Sequence, residues 1–199
     1  MEVNVHDIVY LESNQTIKSS ETIPNWVLNE KTANTIAVVR RMKTMNHIVP
    51  IGFRGANRSE RFAAFTTKDS IRKVITAEEA THGVPPISHE GTIEYLRDLF
   101  KDIRWGIGGS IGFTMATGIQ ACTEYSDVDI ILYKERFTAL QPLQLLHEKI
   151  QMSAHPIDVQ VEITNLGACM LSELVTSTTV LLRTSTGVLL MDRNRLVSN

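Results

Sequence analysis

Apolar and polar positions alternate most strictly in PIDVQVEI, residues 156–163, where Ile157, Val159, Val161 and Ile163 oppose Asp158, Gln160 and Glu162. Side chains two apart on a strand share a face, so this segment reads as a half-buried strand. TIAVVRR (35–41), HIVPIGF (47–53) and RFAAF (61–65) are runs of β-forming residues that predict a small antiparallel sheet edged with basic residues. Spacings of three and four predict helices instead over 91–104 (Ile93, Leu96, Leu99, Phe100, Ile103) and over 137–150 (Phe137, Leu140, Leu143, Leu146, Ile150). Pro142 is expected to kink or split the second of these. The same spacing predicts a helix over 67–75, with Thr67 or Asp69 as cap and Ile71, Val74 and Ile75 buried. Weaker helical patterns cover 24–30, where Ile23, Val27 and Leu28 share a packing face behind Pro24, and 165–175. Residues 180–192, VLLRTSTGVLLMD, read as two strands around a turn at 185–187.

GVPPISHEG interrupts this pattern, and its adjacent Pro85 and Pro86 enforce an extended chain. It predicts a division into an N-terminal domain, 1–88, and a second domain, 89–199. His82 and His89 fall between Thr76 and Glu90 with no metal-ligand spacing and read as loop histidines.

Composition sharpens the division. The chain has 199 residues, 43% of them apolar, enough for a buried core. Its net charge of −2 conceals a basic segment, 31–76, with ten Lys and Arg against Glu60 and Asp69, or +8, which leaves −10 elsewhere. A basic segment beside an acidic one suits a protein that holds a polyanion with the first and its metal with the second. Cys122 and Cys169 lie far apart, and no signal or membrane segment stands out, so a soluble, reducing cytoplasmic setting is expected.

The chemistry concentrates in residues 104–133, RWGIGGSIGFTMATGIQACTEYSDVDIILY. They predict a short strand, a turn at Gly108-Gly109-Ser110, a short helix, a loop, and a strand presenting Asp127 and Asp129 together. Two such carboxylates repel unless a cation lies between them, and their hard oxygens suit Mg²⁺. The small-residue turn can offer N–H groups to a phosphate tail. If the strands of 128–134 and 157–163 are neighbours, a third carboxylate joins from Asp158 or Glu162. Three carboxylates can hold two Mg²⁺ ions for an in-line displacement at phosphorus, and one of them can accept the proton of an attacking hydroxyl.

The ordered pair WGIGGS and YSDVDIIL resembles the active-site signature of the DNA polymerase β-type nucleotidyltransferase superfamily, in which a Gly-Ser turn precedes an Asp-x-Asp strand. Here sixteen residues, 111–126, separate Ser110 from Asp127, more than in most members. That spacing, with Gly112, Thr117 and Gly118 inside it, is similar to one branch, the phosphoribosyl-dephospho-CoA transferases (MdcG) of malonate decarboxylase. Val38 to Arg41, Val49 to Gly52, Glu173 and the Leu182-Arg183-Thr184…Gly187 stretch fall where that family has similar segments.

The resemblance implies an α+β fold, with a small, mostly β N-terminal domain and a nucleotidyltransferase domain whose mixed sheet is flanked by helices. It implies transfer from 2′-(5″-triphosphoribosyl)-3′-dephospho-CoA to a serine of the acyl-carrier subunit, with loss of pyrophosphate. Asp127, Asp129 and Asp158 would hold Mg²⁺, with Asp158 the preferred base and Glu162 open as its replacement. Gly108, Gly109 and Ser110 would bind the β- and γ-phosphates. Gln160 would orient a ligand, and Arg183 would either neutralise pyrophosphate or pair with Glu173. Arg40, Arg41 or Arg58 would meet the donor or the acidic carrier.

Two other readings stand beside this one. An NTP-dependent nucleotidyltransferase acting on another protein or a small molecule would use the same carboxylates and differ in its donor pocket. A catalytically inactive polyanion-binding module would use the basic segment. Its aromatic residues are not interleaved with basic ones as single-strand nucleic-acid binding requires, and it would leave Asp127 and Asp129 without a role.

Overall fold

The computed structural model describes residues 2–28, 35–55, 59–135 and 139–197. The chain divides between Thr76 and Ala77 into two compact units.

In the first unit β1 (Ile8–Leu11), a short helix α1 (Asn25–Leu28), β2 (Thr35–Val39), β3 (Ile48–Arg54), β4 (Arg61–Thr67) and β5 (Ile71–Ile75) form a sheet of order β4-β3-β2-β1-β5. Every neighbouring pair is antiparallel. The sheet predicted from three β-branched runs is present. Two strands depart from the sequence reading. Strand β1, Ile-Val-Tyr-Leu, is buried at all four positions, so its sequence carries no alternation to betray it. Residues 67–75 are not a helix. A single 3₁₀ turn, Lys68–Ser70, leads into β5, which pairs with β1 through Val9↔Val74 and Ile8↔Ile75. Ile71, Val74 and Ile75 satisfy both periods, and their β-branched side chains, with β1 available as partner, decide for the strand.

In α1 the buried residue is Val27, with Ile23 and Trp26 packed beside it, whereas Leu28 is exposed. Glu30, the far end of the helix predicted over 24–30, lies outside the described residues, as do Arg58 and Phe137. Arg40 follows β2 and donates its N–H to Pro50 O at 2.8 Å.

The second unit opens with α2 (Ala77–Ala80), so the division lies ahead of Pro85-Pro86 rather than after it. The physical reason is that α2 packs against elements of its own unit, β6 (Trp105–Ile107) and α4 (Gly109–Thr117), and buries Ala77 and Ala80 completely. Arg104 ties the same junction with two hydrogen bonds of 2.7 Å to the Glu78 carboxylate. Arg104 is exposed and Glu78 half-buried, and pairs open to solvent in this way contribute at most about 1 kcal/mol. Glu78→Gln is therefore expected to lower Tm by no more than ~4 °C in a melting experiment, with the fold unchanged.

The remaining elements are α3 (Glu90–Leu99), β7 (Val128–Lys134), α5 (Gln141–Ile150), β8 (Ile157–Ile163), β9 (Gly167–Met170), α6 (Leu171–Thr176), β10 (Thr179–Thr184) and β11 (Gly187–Asp192). The sheet order is β11-β10-β9-β8-β7-β6. Pair β7–β8, joined by the α5 crossover, is parallel and the other neighbours are antiparallel, so the sheet is mixed and the fold is α+β. Pro142 does not kink α5. It occupies the first turn, where its missing N–H has no helical partner to lose. Residues 165–175 are strand β9 followed by α6, because Asn165 and Gly167 take positive φ (64° and 133°) and turn the chain back against β8.

Helices α3, α4, α5 and α6 bring Ile93, Phe100, Ile111, Leu143, Ile150 and Leu174 onto Val128, Ile130, Leu132, Val159 and Val161. That covers one face of the sheet. Alternation along β7 and β8 then turns Asp129, Asp158, Gln160 and Glu162 to the opposite face.

Candidate active site

The site is assembled where β6, the start of α4, β7 and β8 meet. Parallel register sets Asp129 directly beside Asp158, and Asp127 immediately precedes β7. One carboxylate oxygen from each of Asp127, Asp129 and Asp158 lies within 4.8 Å of the others. Among the described residues this is the one convergent cluster of metal-ligating side chains. Glu162 is not part of it. It lies further along β8, and its Oε1 accepts from Gln160 Nε2 at 2.8 Å. Geometry thus separates the two candidates that the alternation of β8 left equivalent.

The donor set is all carboxylate oxygen, half-buried at Asp129 and exposed at Asp158. That chemistry fits Mg²⁺, which takes oxygens at about 2.0–2.1 Å and keeps several waters. Oxygens as close as these could share one ion after small side-chain rotations.

The turn before α4 is fitted to this cluster. Gly108 is extended, and its N–H donates to Asp129 O at 2.8 Å, extending the β6–β7 ladder. This N–H is therefore not available to a phosphate, which removes Gly108 from the expected phosphate-binding set. Its role is to hold the turn on β7. Gly109 has φ +58°, and a Cβ built there would lie 1.7 Å from Asp129 Oδ2. Only glycine combines that backbone with that approach. Ser110 is buried in the first helical turn. The first bond along α4 runs from Gly112 N–H to Gly108 O at 2.7 Å, so the helix itself uses no N–H of Gly109, Ser110 or Ile111. A nine-residue helix thus points its positive end at the carboxylates' edge, a place for an anion bridged to a cation.

Arg183 in β10 lies across Ala168 from Glu162 on the same sheet, two strand spacings or about 10 Å away. Its Nη1 is buried and has no hydrogen-bond partner. The Glu173 carboxylate instead accepts Leu181 N–H at 2.9 Å, so the ion pair considered from the sequence is not formed. Cys122 and Cys169 are both free and buried. Burial, then the negative field of Glu173, pushes the Cys169 thiol up to about 12, so it stays protonated and unreactive at neutral pH.

His89 corrects the reading of the proline-rich stretch. It is fully buried, with Nε2 2.8 Å from Ser126 O and Nδ1 2.9 Å from Ser88 Oγ, and it stacks on His155 at 4.1 Å. No sequence signal joins two histidines so far apart, since the contact exists only once β7 and β8 are aligned. His82 is exposed, as expected of a loop residue. No described helix is long and apolar enough to cross a membrane.

Known proteins resemble both units. Residues 76–194 match the family described as phosphoribosyl-dephospho-CoA transferase MdcG C-terminal domain, and residues 4–77 match the corresponding N-terminal domain. The two matches meet where the compact units divide. A phosphoribosyl-dephospho-CoA transferase of Pseudomonas fluorescens (strain Pf0-1) is 31% identical over 75% of this chain and 74% of its own. One from Azotobacter vinelandii is 27% identical over 94% of this chain and 91% of its own. One from Klebsiella pneumoniae is 30% identical over 92% and 91%. No solved structure matches at comparable stringency.

Proposed function

Because the chain belongs to the phosphoribosyl-dephospho-CoA transferase (MdcG) family, we propose that it attaches the phosphoribosyl-dephospho-CoA group to a serine of the acyl-carrier subunit of malonate decarboxylase. The donor in this reading is 2′-(5″-triphosphoribosyl)-3′-dephospho-CoA. The observation that carries it is the meeting of Asp127, Asp129 and Asp158 beside the start of α4.

Asp127 and Asp129 would hold the cation and Asp158 would complete the set. Mg²⁺ bound there would supply positive charge to the triphosphate and to the oxygens entering and leaving phosphorus. The N–H groups of Gly109 and Ser110, with the Ser110 hydroxyl, take the β- and γ-phosphates. Asp158, an exposed member of the set, accepts the proton of the carrier serine. The serine oxygen bonds to the α-phosphorus, the bond from that phosphorus to the β-phosphate oxygen breaks, and pyrophosphate departs. Arg183, with an unpartnered guanidinium nitrogen on the same sheet, is assigned to anionic groups of the donor or product. The basic segment 31–76 steers the acidic carrier.

Pyrophosphate release tests the donor. With Mg²⁺ and apo carrier, triphosphoribosyl-dephospho-CoA should give stoichiometric release, and ATP, GTP, CTP and UTP none above background. Release driven by one of these nucleotides alone would replace this donor by an ordinary NTP. Steering is tested separately. The KM for carrier is expected to rise with NaCl as surface charges are screened, and a KM independent of salt between 50 and 300 mM would remove it.

A further inference from the structure

A stacked histidine pair lies directly behind the carboxylate cluster. His89 sits just before α3, and its Nε2 is 2.8 Å from the carbonyl oxygen of Ser126, the residue before Asp127. A carbonyl can only accept, so Nε2 carries a proton, and in the neutral ring Nδ1 accepts from the Ser88 hydroxyl at 2.9 Å. The His155 ring stacks on it with centroids 4.1 Å apart and planes 27° apart. His155 stands three residues before Asp158 and is held by Thr92 of α3, 2.8 Å from its Nδ1. Between these two anchors the strands are joined directly, with Val128 N–H donating to Pro156 O at 2.9 Å.

We propose that the His89–His155 stack is a positioning device for the cation site, fixing the entry of β7 against the entry of β8 so that Asp127 meets Asp158. His89 is fully buried and neither histidine is among the side chains that converge in the cluster, so the pair is assigned no ligand or catalytic role. Asp127 precedes the regular ladder of β7, and sheet hydrogen bonds alone do not set its carboxylate. Its backbone is placed by the Ser126 carbonyl, and that carbonyl is placed by His89. A polar group buried this completely would destabilise the fold unless bonded, and both ring nitrogens have partners. The inference rests on the cation site proposed above.

His89→Phe keeps the ring and its stack while removing both hydrogen bonds. His89→Gln offers an amide N–H to Ser126 O and an oxygen to Ser88. Two measurements are made on the whole chain, Mn²⁺ affinity in the absence of donor and hydrogen exchange of the Val128 amide. His89→Phe is expected to weaken Mn²⁺ about tenfold or more, the usual size of effect for groups that orient ligands, and to speed Val128 exchange. His89→Gln is expected to recover most of both. A His89→Phe protein with Mn²⁺ affinity within twofold of the parent overturns the proposal, and so does a lowered Tm with binding and exchange unchanged.

If the parent itself binds no Mn²⁺, the cation reading fails, and Val128 exchange alone decides the brace, unchanged protection overturning it. Should His89→Phe not fold, His155→Gln opens the stack from its half-exposed side with the same expectations and the same overturning results.

Discussion

Asp158→Asn is expected to reduce carrier modification on the order of 10³-fold or more while making the metal-free protein more stable. The loss follows from the two tasks assigned to this carboxylate. A positioned base contributes about 10²–10⁴-fold, and a weakened cation site forfeits charge stabilisation at phosphorus as well. The gain follows from the same geometry. Three carboxylates with oxygens within 4.8 Å repel each other when no cation is bound. At water-like dielectric one such repulsion is about 1 kcal/mol, which corresponds to a Tm higher by ~2–4 °C for a chain of this length. Excess Mg²⁺ should then stabilise the parent more than the variant, since a ligand that binds only the folded state raises its stability by mass action. Thermal melts with and without Mg²⁺, alongside turnover, check all three. A variant that loses activity and also melts lower without metal would indicate that Asp158 is structural.

Gly109→Ala is expected to remove both activity and cation binding, whereas Gly118→Ala, with nearly the same backbone strain, is expected to spare them. Gly109 and Gly118 have φ of +58° and +72°, a region that costs an L-residue about 1–2 kcal/mol. Both substitutions should thus lower Tm by a few degrees. They differ in what the methyl meets. At Gly118 nothing lies within 4 Å, while at Gly109 the new Cβ falls 1.7 Å from Asp129 Oδ2. The carboxylate must rotate away or the start of α4 must lift from β7, and either breaks the cluster. Melting curves, Mn²⁺ binding and turnover on both variants separate strain from clash. Equal loss of activity in the two would mean that the conformation of α4, and not the placement of Asp129, is what matters.

The sequence displayed this site more fully than it displayed the fold around it. Asp127, Asp129 and Asp158 were legible because alternation along β7 and β8 assigns their faces, and a small-residue turn before an Asp-x-Asp strand is a narrow pattern. Between Asp158 and Glu162, which lie on one face, the sequence favours Asp158 and leaves Glu162 open, and only the β7–β8 register shows that Asp158 is the one beside Asp129. The use of the Gly108 N–H by Asp129 O is illegible for a related reason, since it is a bond across two strands. Strand β1 leaves no signal in the sequence because a strand buried on both sides has no period of two. Strand β5 reads as a helix in sequence because Ile71, Val74 and Ile75 fit either spacing, and pairing with the edge of β1 decides for the strand. His89 reads in sequence as a loop residue among prolines, although the loop is folded into the second unit and its ring is buried against His155.

The most direct test is the intact mass of the apo carrier after incubation with triphosphoribosyl-dephospho-CoA, Mg²⁺ and either the parent or the Asp127→Asn, Asp129→Asn double variant. The parent should add one phosphoribosyl-dephospho-CoA group to a single serine, and the double variant, folded by its melting curve, should add none in the same time. Carrier modified by the double variant at the parent's rate would show that these carboxylates do not carry the reaction.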